Sequence, residues 1–265
     1  MNADSLFPNK HVPLKIVVFD LDETLGYFVE FGMFWNALES FYKRKLSQTE
    51  FNDILDLYPE FVRPNIMDIL QFLNHKKREN HCSHVMIYTN NQGPKEWAIS
   101  IKSYFESKMK TSIFDRIIAA FKVNGKQVEI CRTTHNKTHQ DFIKCTKLPE
   151  NSQICFLDDV YHPEMKNDNV YYINVKPYVY DLPYEELIRR YIHKFPIQDT
   201  HLFQSHIISH MKKYHHNVLV KDLDEHDVDV IITKQILHHL RVFFNPVQTR
   251  RRNKVHKEAK TAKKR

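Results

Sequence analysis

KIVVFDLDETLG, residues 15–26, is the stretch from which the architecture is read. Residues 16–19 are apolar and mostly β-branched, with no polar alternation, the pattern of a strand buried on both faces. The run ends in Asp20-Leu21-Asp22. Two carboxylates two residues apart emerge on one side of an extended chain, while Leu21 turns into the core. Thr24 and a glycine-containing turn follow at once.

Four more runs of the same kind lie downstream: HVMIYTN (84–90), FDRIIAAF (114–121), QICFLDD (153–159) and VYYINV (170–175). Helical patterns separate them: MDILQFLNHKK (67–77), PKEWAISIKSYFESKMK (94–110), KTHQDFIKC (137–145) and PYEELIRRYIHK (183–194). The second and last begin with proline, which is tolerated in a first helical turn. Alternation of this kind predicts an α/β fold with a parallel, doubly wound sheet. Residues 27–63 interrupt it. YFVEFGMF predicts a hairpin around Gly32 and WNALESFYKRKL a helix, a small insertion hanging over the carboxyl end of the first strand. The expected organisation is a core over 1–194, with 27–63 as a small cap or flap, a helical appendage over 195–249 and a disordered basic tail over 250–265.

Length and composition fit this plan. A chain of 265 residues, 42% hydrophobic and 27% charged, suits one α/β domain with an addition rather than a disordered polymer. The formal charge of +7 is local, because residues 250–265 hold nine basic side chains and one acidic one, leaving the body near −1. Such an arm contacts nucleic-acid phosphates or serves as a nuclear-localisation sequence, although no aromatic residue interleaves it for base stacking. No run approaches a membrane span, and the first residues lack the apolar segment of a secretory signal. Cys82, Cys131, Cys145 and Cys155 form no CxxC and no paired spacing, so free thiols in a reducing, intracellular setting, cytoplasmic or nuclear, are expected. Four glycines exclude the Gly-rich phosphate loops.

The chemistry gathers at the strand ends. Asp20 and Asp22 suit a nucleophile and a proton carrier. Thr89 and Asn90 are neutral donors closing the second strand, and Asp158 and Asp159 close the fourth. Lys137 opens a helix before that strand, with Lys144 and Lys147 as alternatives for the same role. Four carboxylates at one sheet edge repel each other unless cations offset them. One lysine and one divalent ion supply three positive charges, and an oxygen-only ligand set of Asp20, Asp22, Asp158 and Asp159 favours Mg²⁺. Metal, lysine and neutral donors together suit the spread charge of a transferring phosphoryl group.

In that order and on those elements, FDLDETLG, YTNN, Lys137 and FLDD resemble the four signature motifs of the haloacid-dehalogenase superfamily, over roughly residues 15–180. The resemblance implies a Rossmann-like core and Mg²⁺-dependent phosphotransfer through an aspartyl-phosphate. It implies Asp20 as nucleophile and metal ligand, Asp22 as general acid/base and ligand through its carbonyl, and Thr89 as a phosphoryl-oxygen donor. Lys137 then neutralises nucleophile and phosphate, Asp158 holds Mg²⁺, and Asp159 acts through a second layer or water. DLDETL with Arg63-Pro64 is similar to the NLI-interacting-factor/CTD-phosphatase branch, which dephosphorylates proteins and usually carries Asp-Asn where this chain has Asp158-Asp159. TNNQG (89–93) resembles instead the polynucleotide 3′-phosphatase and small-molecule branches.

Too few residues separate Thr89 from Lys137 for a large cap, so an open site and a phosphorylated macromolecule, protein or nucleic-acid end, are expected, with no membrane partner. A catalytically silent interaction protein on the same scaffold is the alternative of a different class. The histidines at 201, 206, 210, 215 and 216 lack acidic or cysteine companions in sequence and read as solvated or partly buried.

Overall fold

The computed structural model describes residues 13–219 and 221–245; the basic tail at 250–265 lies outside them. In chain order the elements are β1 (Lys15–Phe19), α1 (Val29–Tyr42), α2 (Gln48–Leu55), α3 (Ile66–Arg78), β2 (His84–Tyr88) and α4 (Lys95–Met109). There follow β3 (Arg116–Ile118), β4 (Lys122–Val123), β5 (Lys126–Gln127), α5 (His139–Thr146), β6 (Gln153–Asp158) and β7 (Val170–Asn174). Helices α6 (Tyr184–Lys194), α7 (Thr200–Lys212) and α8 (Leu223–Phe244) complete the described chain.

Five strands form one parallel sheet in the order β3-β2-β1-β6-β7, while β4 and β5 make a separate two-stranded antiparallel ribbon. The alternation of strand side chains divides the core. Ile16, Val18, Met86, Tyr88, Ile154 and Phe156 pack on one face with Phe142 and Cys145 of α5. Val17, Phe19, Val85, Ile87, Cys155 and Leu157 face the other way, into a larger cluster fed by the remaining helices. Both faces are therefore dry, which explains why the strands read as continuous apolar runs. Each fully buried aliphatic or aromatic side chain contributes about 1.5–3 kcal/mol, before the entropy of ordering is subtracted. Residues of α7 and α8, among them Phe203, Ile207, Ile236 and Leu240, join this same cluster.

The topology fixes a crevice. The chain steps outward from β1 through β2 to β3, then crosses back so that β6 lies on the other side of β1. Ligands of open α/β sheets sit beyond the carboxyl ends of the strands at such a reversal.

Four expectations are corrected. No hairpin forms around Gly32: residues 29–42 are helical, because Phe31, Phe34, Trp35 and Leu38 recur at helical spacing and are all buried. Gly32 instead admits α4 closely, since a β-carbon there would lie 3.3 Å from the Trp97 ring. The strand expected over 114–121 pairs only at Arg116–Ile118, and beyond it the Ala119 carbonyl accepts from the Arg132 guanidinium rather than from a neighbouring strand. Lys137 does not open a helix; Thr138 caps α5 through the Asp141 N–H, leaving Lys137 in the loop before it. Finally, Cys131 and Cys145 are joined in a disulfide, while Cys82 and Cys155 are buried free thiols. A spacing of 14 residues does not announce a pair; the fold of the loop back onto α5 brings the two together.

Candidate active site

Register alone brings the first two carboxylates together. Phe19 pairs with Leu157, so Asp20 and Asp158 follow on adjacent strands, with the Asp20 N–H donating to Leu157 O at 2.8 Å. On the other side Phe19 pairs with Ile87, which sets Thr89 beside the same edge. Lys137 arrives from the loop before α5 and is buried. Its ammonium contacts both Asp20 Oδ1 and Asp158 Oδ2, the latter at 2.6 Å. Carboxylate oxygens of Asp20, Asp158 and Asp159 lie within 4.8 Å of one another.

The remaining contacts orient this group. Asp158 Oδ1 accepts the Val160 N–H at 2.9 Å, and His162 Nε2 lies 3.6 Å from Oδ2. Asp159 accepts from Thr24 Oγ1 at 3.1 Å. Asp22 Oδ2 accepts from Asn91 Nδ2 at 2.6 Å, while its Oδ1 is buried without a partner among the described residues. Thr89 Oγ1 accepts the Asn91 N–H at 3.0 Å, which leaves the threonine hydroxyl proton available to a ligand. Asn90 is half-buried and offers its carbonyl to Gln92; Asn91, not Asn90, reaches the acidic cluster. Lys144 and Lys147 are exposed on or beyond the last turn of α5, away from this cluster.

Electrostatics follow from burial and pairing. Burial pushes the Asp20 carboxyl up, to about 8, with the Lys137 ammonium opposing it. Burial acts the same way on Asp158, but the His162 and Lys137 partners outweigh it and hold that carboxyl below its ordinary range. Asp22 is raised by burial, partly offset by Asn91, and Asp159 by burial and then by Asp158. Burial works against the Lys137 charge, yet Asp20 and Asp158 together raise its pKa. Four acids share one lysine, and one of the Asp22 oxygens has no partner among the described residues, so the cluster is short of cationic partners. The oxygen-only set fits a hard divalent cation.

Two buried arginines build the loops. Arg63 donates to the carbonyls of Thr24 (2.6 Å), Glu23 (2.6 Å) and Lys176 (2.9 Å), tying the turn after β1 to the segment after β7. That turn holds Glu23 at φ 59° and closes on Gly26, where a β-carbon would meet Phe61 O at 2.4 Å. Arg132 donates to the carbonyls of Thr89, Ala119, His135 and Asn136, so it joins the end of β2 to the loop carrying Lys137. Asn174 Nδ2 donates to the carbonyls of Asp158 and Asp159 at 3.0 and 2.9 Å. Of these supports only Arg63 had a sequence signal, the Arg-Pro pair. Arg132, Asn174 and Asn91 act through backbone carbonyls or a single side-chain contact that no spacing announces.

Beside Asp22 and Asn91 opens a cavity of about 830 Å³ between α1 and α4. Phe28, Met33, Trp35 and Trp97 supply its apolar wall, and Glu39, Glu96 and Lys45 are the charged side chains that join Asp22 around it. No protein-family model matches the chain, and no curated protein sequence matches it.

Proposed function

We propose that this protein is a Mg²⁺-dependent phosphomonoester hydrolase of the haloacid-dehalogenase type, acting through an aspartyl-phosphate on a phosphorylated macromolecule, most simply a phosphoprotein. The observation that carries the reading is the convergence of Asp20, Asp158, Asp159 and Lys137 at the sheet reversal, with Asp22 and Thr89 at the same edge. Asp20, Asp158 and Asp159, with the Asp22 carbonyl that the resemblance adds, would hold a Mg²⁺, which would supply positive charge against the phosphoryl oxygens.

The chain's own groups divide the work. The ionised Asp20 carboxylate attacks phosphorus, and the bond to the leaving oxygen breaks as Asp22 donates its proton to it. The raised pKa of Asp22 suits that donation. Asp22 then takes a proton from a water that attacks the phosphorus of the acyl phosphate, releasing inorganic phosphate and restoring Asp20. Lys137 stabilises the charge on nucleophile and phosphoryl group, and the Thr89 hydroxyl donates to a phosphoryl oxygen.

The adjoining groove favours a protein over a nucleic-acid end. Asp22, Glu39 and Glu96 against Lys45 make its charged lining net negative, which repels a polyphosphate backbone, and its aromatic wall suits an apolar side chain beside the phosphorylated residue.

The primary test is Mg²⁺-dependent hydrolysis of a small aryl phosphate. Asp20→Asn is expected to lower kcat by at least about a thousandfold; undiminished turnover overturns the assignment. Trp97→Ala is expected to lower kcat/KM for phosphopeptides with an apolar flanking residue about tenfold or more, and to leave the small aryl phosphate little changed. An equal loss on both substrates rules out the groove as a substrate subsite.

A further inference from the structure

Away from the strand ends, Glu30, Asp181 and His216 form a second cluster. Glu30 stands in the first turn of α1, Asp181 between β7 and α6, and His216 between α7 and α8. One carboxylate oxygen from each acid and one ring nitrogen of His216 lie within 4.8 Å of one another. Both acids are buried, at 0% and 1% exposure. Asp181 Oδ1 lies 2.7 Å from His216 Nε2, and its Oδ2 accepts the Leu219 N–H at 3.0 Å. Glu30 Oε2 accepts the Leu182 N–H at 2.8 Å, but its Oε1, also buried, has no hydrogen-bond partner among the described residues.

With both carboxyls ionised this dry site would carry two negative charges, and His216 is the one basic side chain among the described residues that pairs with either of them. An uncompensated buried carboxylate is costly, and an orphaned oxygen more so. Burial, with Asp181 adding to it, pushes the Glu30 carboxyl up to about 8. A divalent ion removes this conflict by taking the free Glu30 oxygen, an Asp181 oxygen and the imidazole nitrogen together. The donor set differs from the one around Asp20: it contains an imidazole, and three protein ligands with one place for water match zinc better than magnesium.

We propose that Glu30, Asp181 and His216 form a zinc-class metal site that pins the end of α7 to α1 and to the segment after β7. Its position suits a structural clip. Tyr214, two residues before His216, accepts a hydrogen bond from Asn36 of α1 at 3.3 Å and lines the groove beside Asp22. The site thus fastens one rim of that groove, independently of what reaction occurs there.

The test uses the full chain, stripped with a chelator and titrated with Zn²⁺ in the presence of excess Mg²⁺, and with Co²⁺ for its visible spectrum. Wild type and Asp158→Asn are both expected to bind one equivalent of Zn²⁺ tightly, to gain thermal stability on binding, and to show the d–d bands of four-coordinate Co²⁺. His216→Ala and the isosteric Glu30→Gln are each expected to weaken Zn²⁺ at least about tenfold and to lose the Co²⁺ bands. Circular dichroism verifies that each variant is folded, and Glu30→Gln decides the matter if His216→Ala is not. Failure of wild type to take up Zn²⁺, uptake abolished by Asp158→Asn, or unchanged affinity in folded Glu30→Gln overturns the proposal.

Discussion

Asp22 and Asn91 bear on the proposed chemistry through a single proton. A serine or threonine alkoxide is a poor leaving group and needs protonation as the bond breaks, whereas an aryl oxide leaves without much help. Asn91 Nδ2 holds one Asp22 oxygen, and the other faces no partner among the described residues, so the proton carrier is oriented but free at one end. Asp22→Asn is therefore expected to lower kcat on an alkyl phosphate or phosphoserine peptide by about 10²–10⁴ and much less on an aryl phosphate. Equal losses on both leaving groups, measured side by side, remove Asp22 as the acid. The identity of the asparagine shows where sequence reading stops. Two adjacent asparagines follow the same strand, and only the turn, closed by Asn91 N–H on Thr89 Oγ1, decides that the second faces Asp22.

Helix α1 of the insertion lines one side of the groove, and α2, which follows it, is secured at its start by local chemistry. Ser47 and Glu50 form a reciprocal capping box, and Glu50 also pairs with Arg44. Ser47→Ala is expected to cost about 1 kcal/mol, read from denaturant unfolding at neutral pH. The Arg44 and Ser47 contacts hold the Glu50 carboxyl down at about 2 against its ordinary 4.5. A depressed carboxyl stabilises the fold above its unfolded value and loses that contribution as pH falls through its folded one. The stability gap between wild type and Glu50→Gln should accordingly be full near neutrality and shrink from about pH 4.5 towards pH 2. A gap that widens on acidification contradicts this pairing. The side chain is partly exposed, so salt should also narrow the gap. The helix before α2 was expected only from Trp35 onward, because its glycine suggested a turn. Gly32 is small to admit Trp97, a demand set by a residue 65 positions away.

Stability of the molecule as a whole depends partly on the covalent link that composition argued against. Cys131 and Cys145 close a loop that contains both Arg132 and Lys137, so the bridge confines the segment delivering the ammonium to Asp20. Closing about 15 residues limits the unfolded chain by roughly 3 kcal/mol, which for a chain of this size corresponds to a fall of about 5 °C in Tm on reduction. Cys131→Ser should match the reduced wild type and no longer respond to reductant. A Tm indifferent to reductant in the wild type means the two thiols are not bridged in solution. Arg132 still ties the loop to Thr89 and Ala119 without the disulfide, so the expected loss is in stability more than in fold.

The alternating apolar runs and their terminal residues were enough to define a parallel α/β sheet and to nominate Asp20, Asp22, Thr89, Asn90, Asp158 and Asp159, because strand burial and strand-end chemistry are written in consecutive residues; Lys137 was preferred over Lys144 and Lys147 for a helix-opening position that it does not hold. Strand order, the choice of Asn91 over Asn90, the carbonyl contacts of Arg63 and Arg132, the Cys131–Cys145 bridge and the meeting of Glu30, Asp181 and His216 came only from the tertiary structure. Each of these depends on which distant segments pack together, and local periodicity carries no record of distance through space.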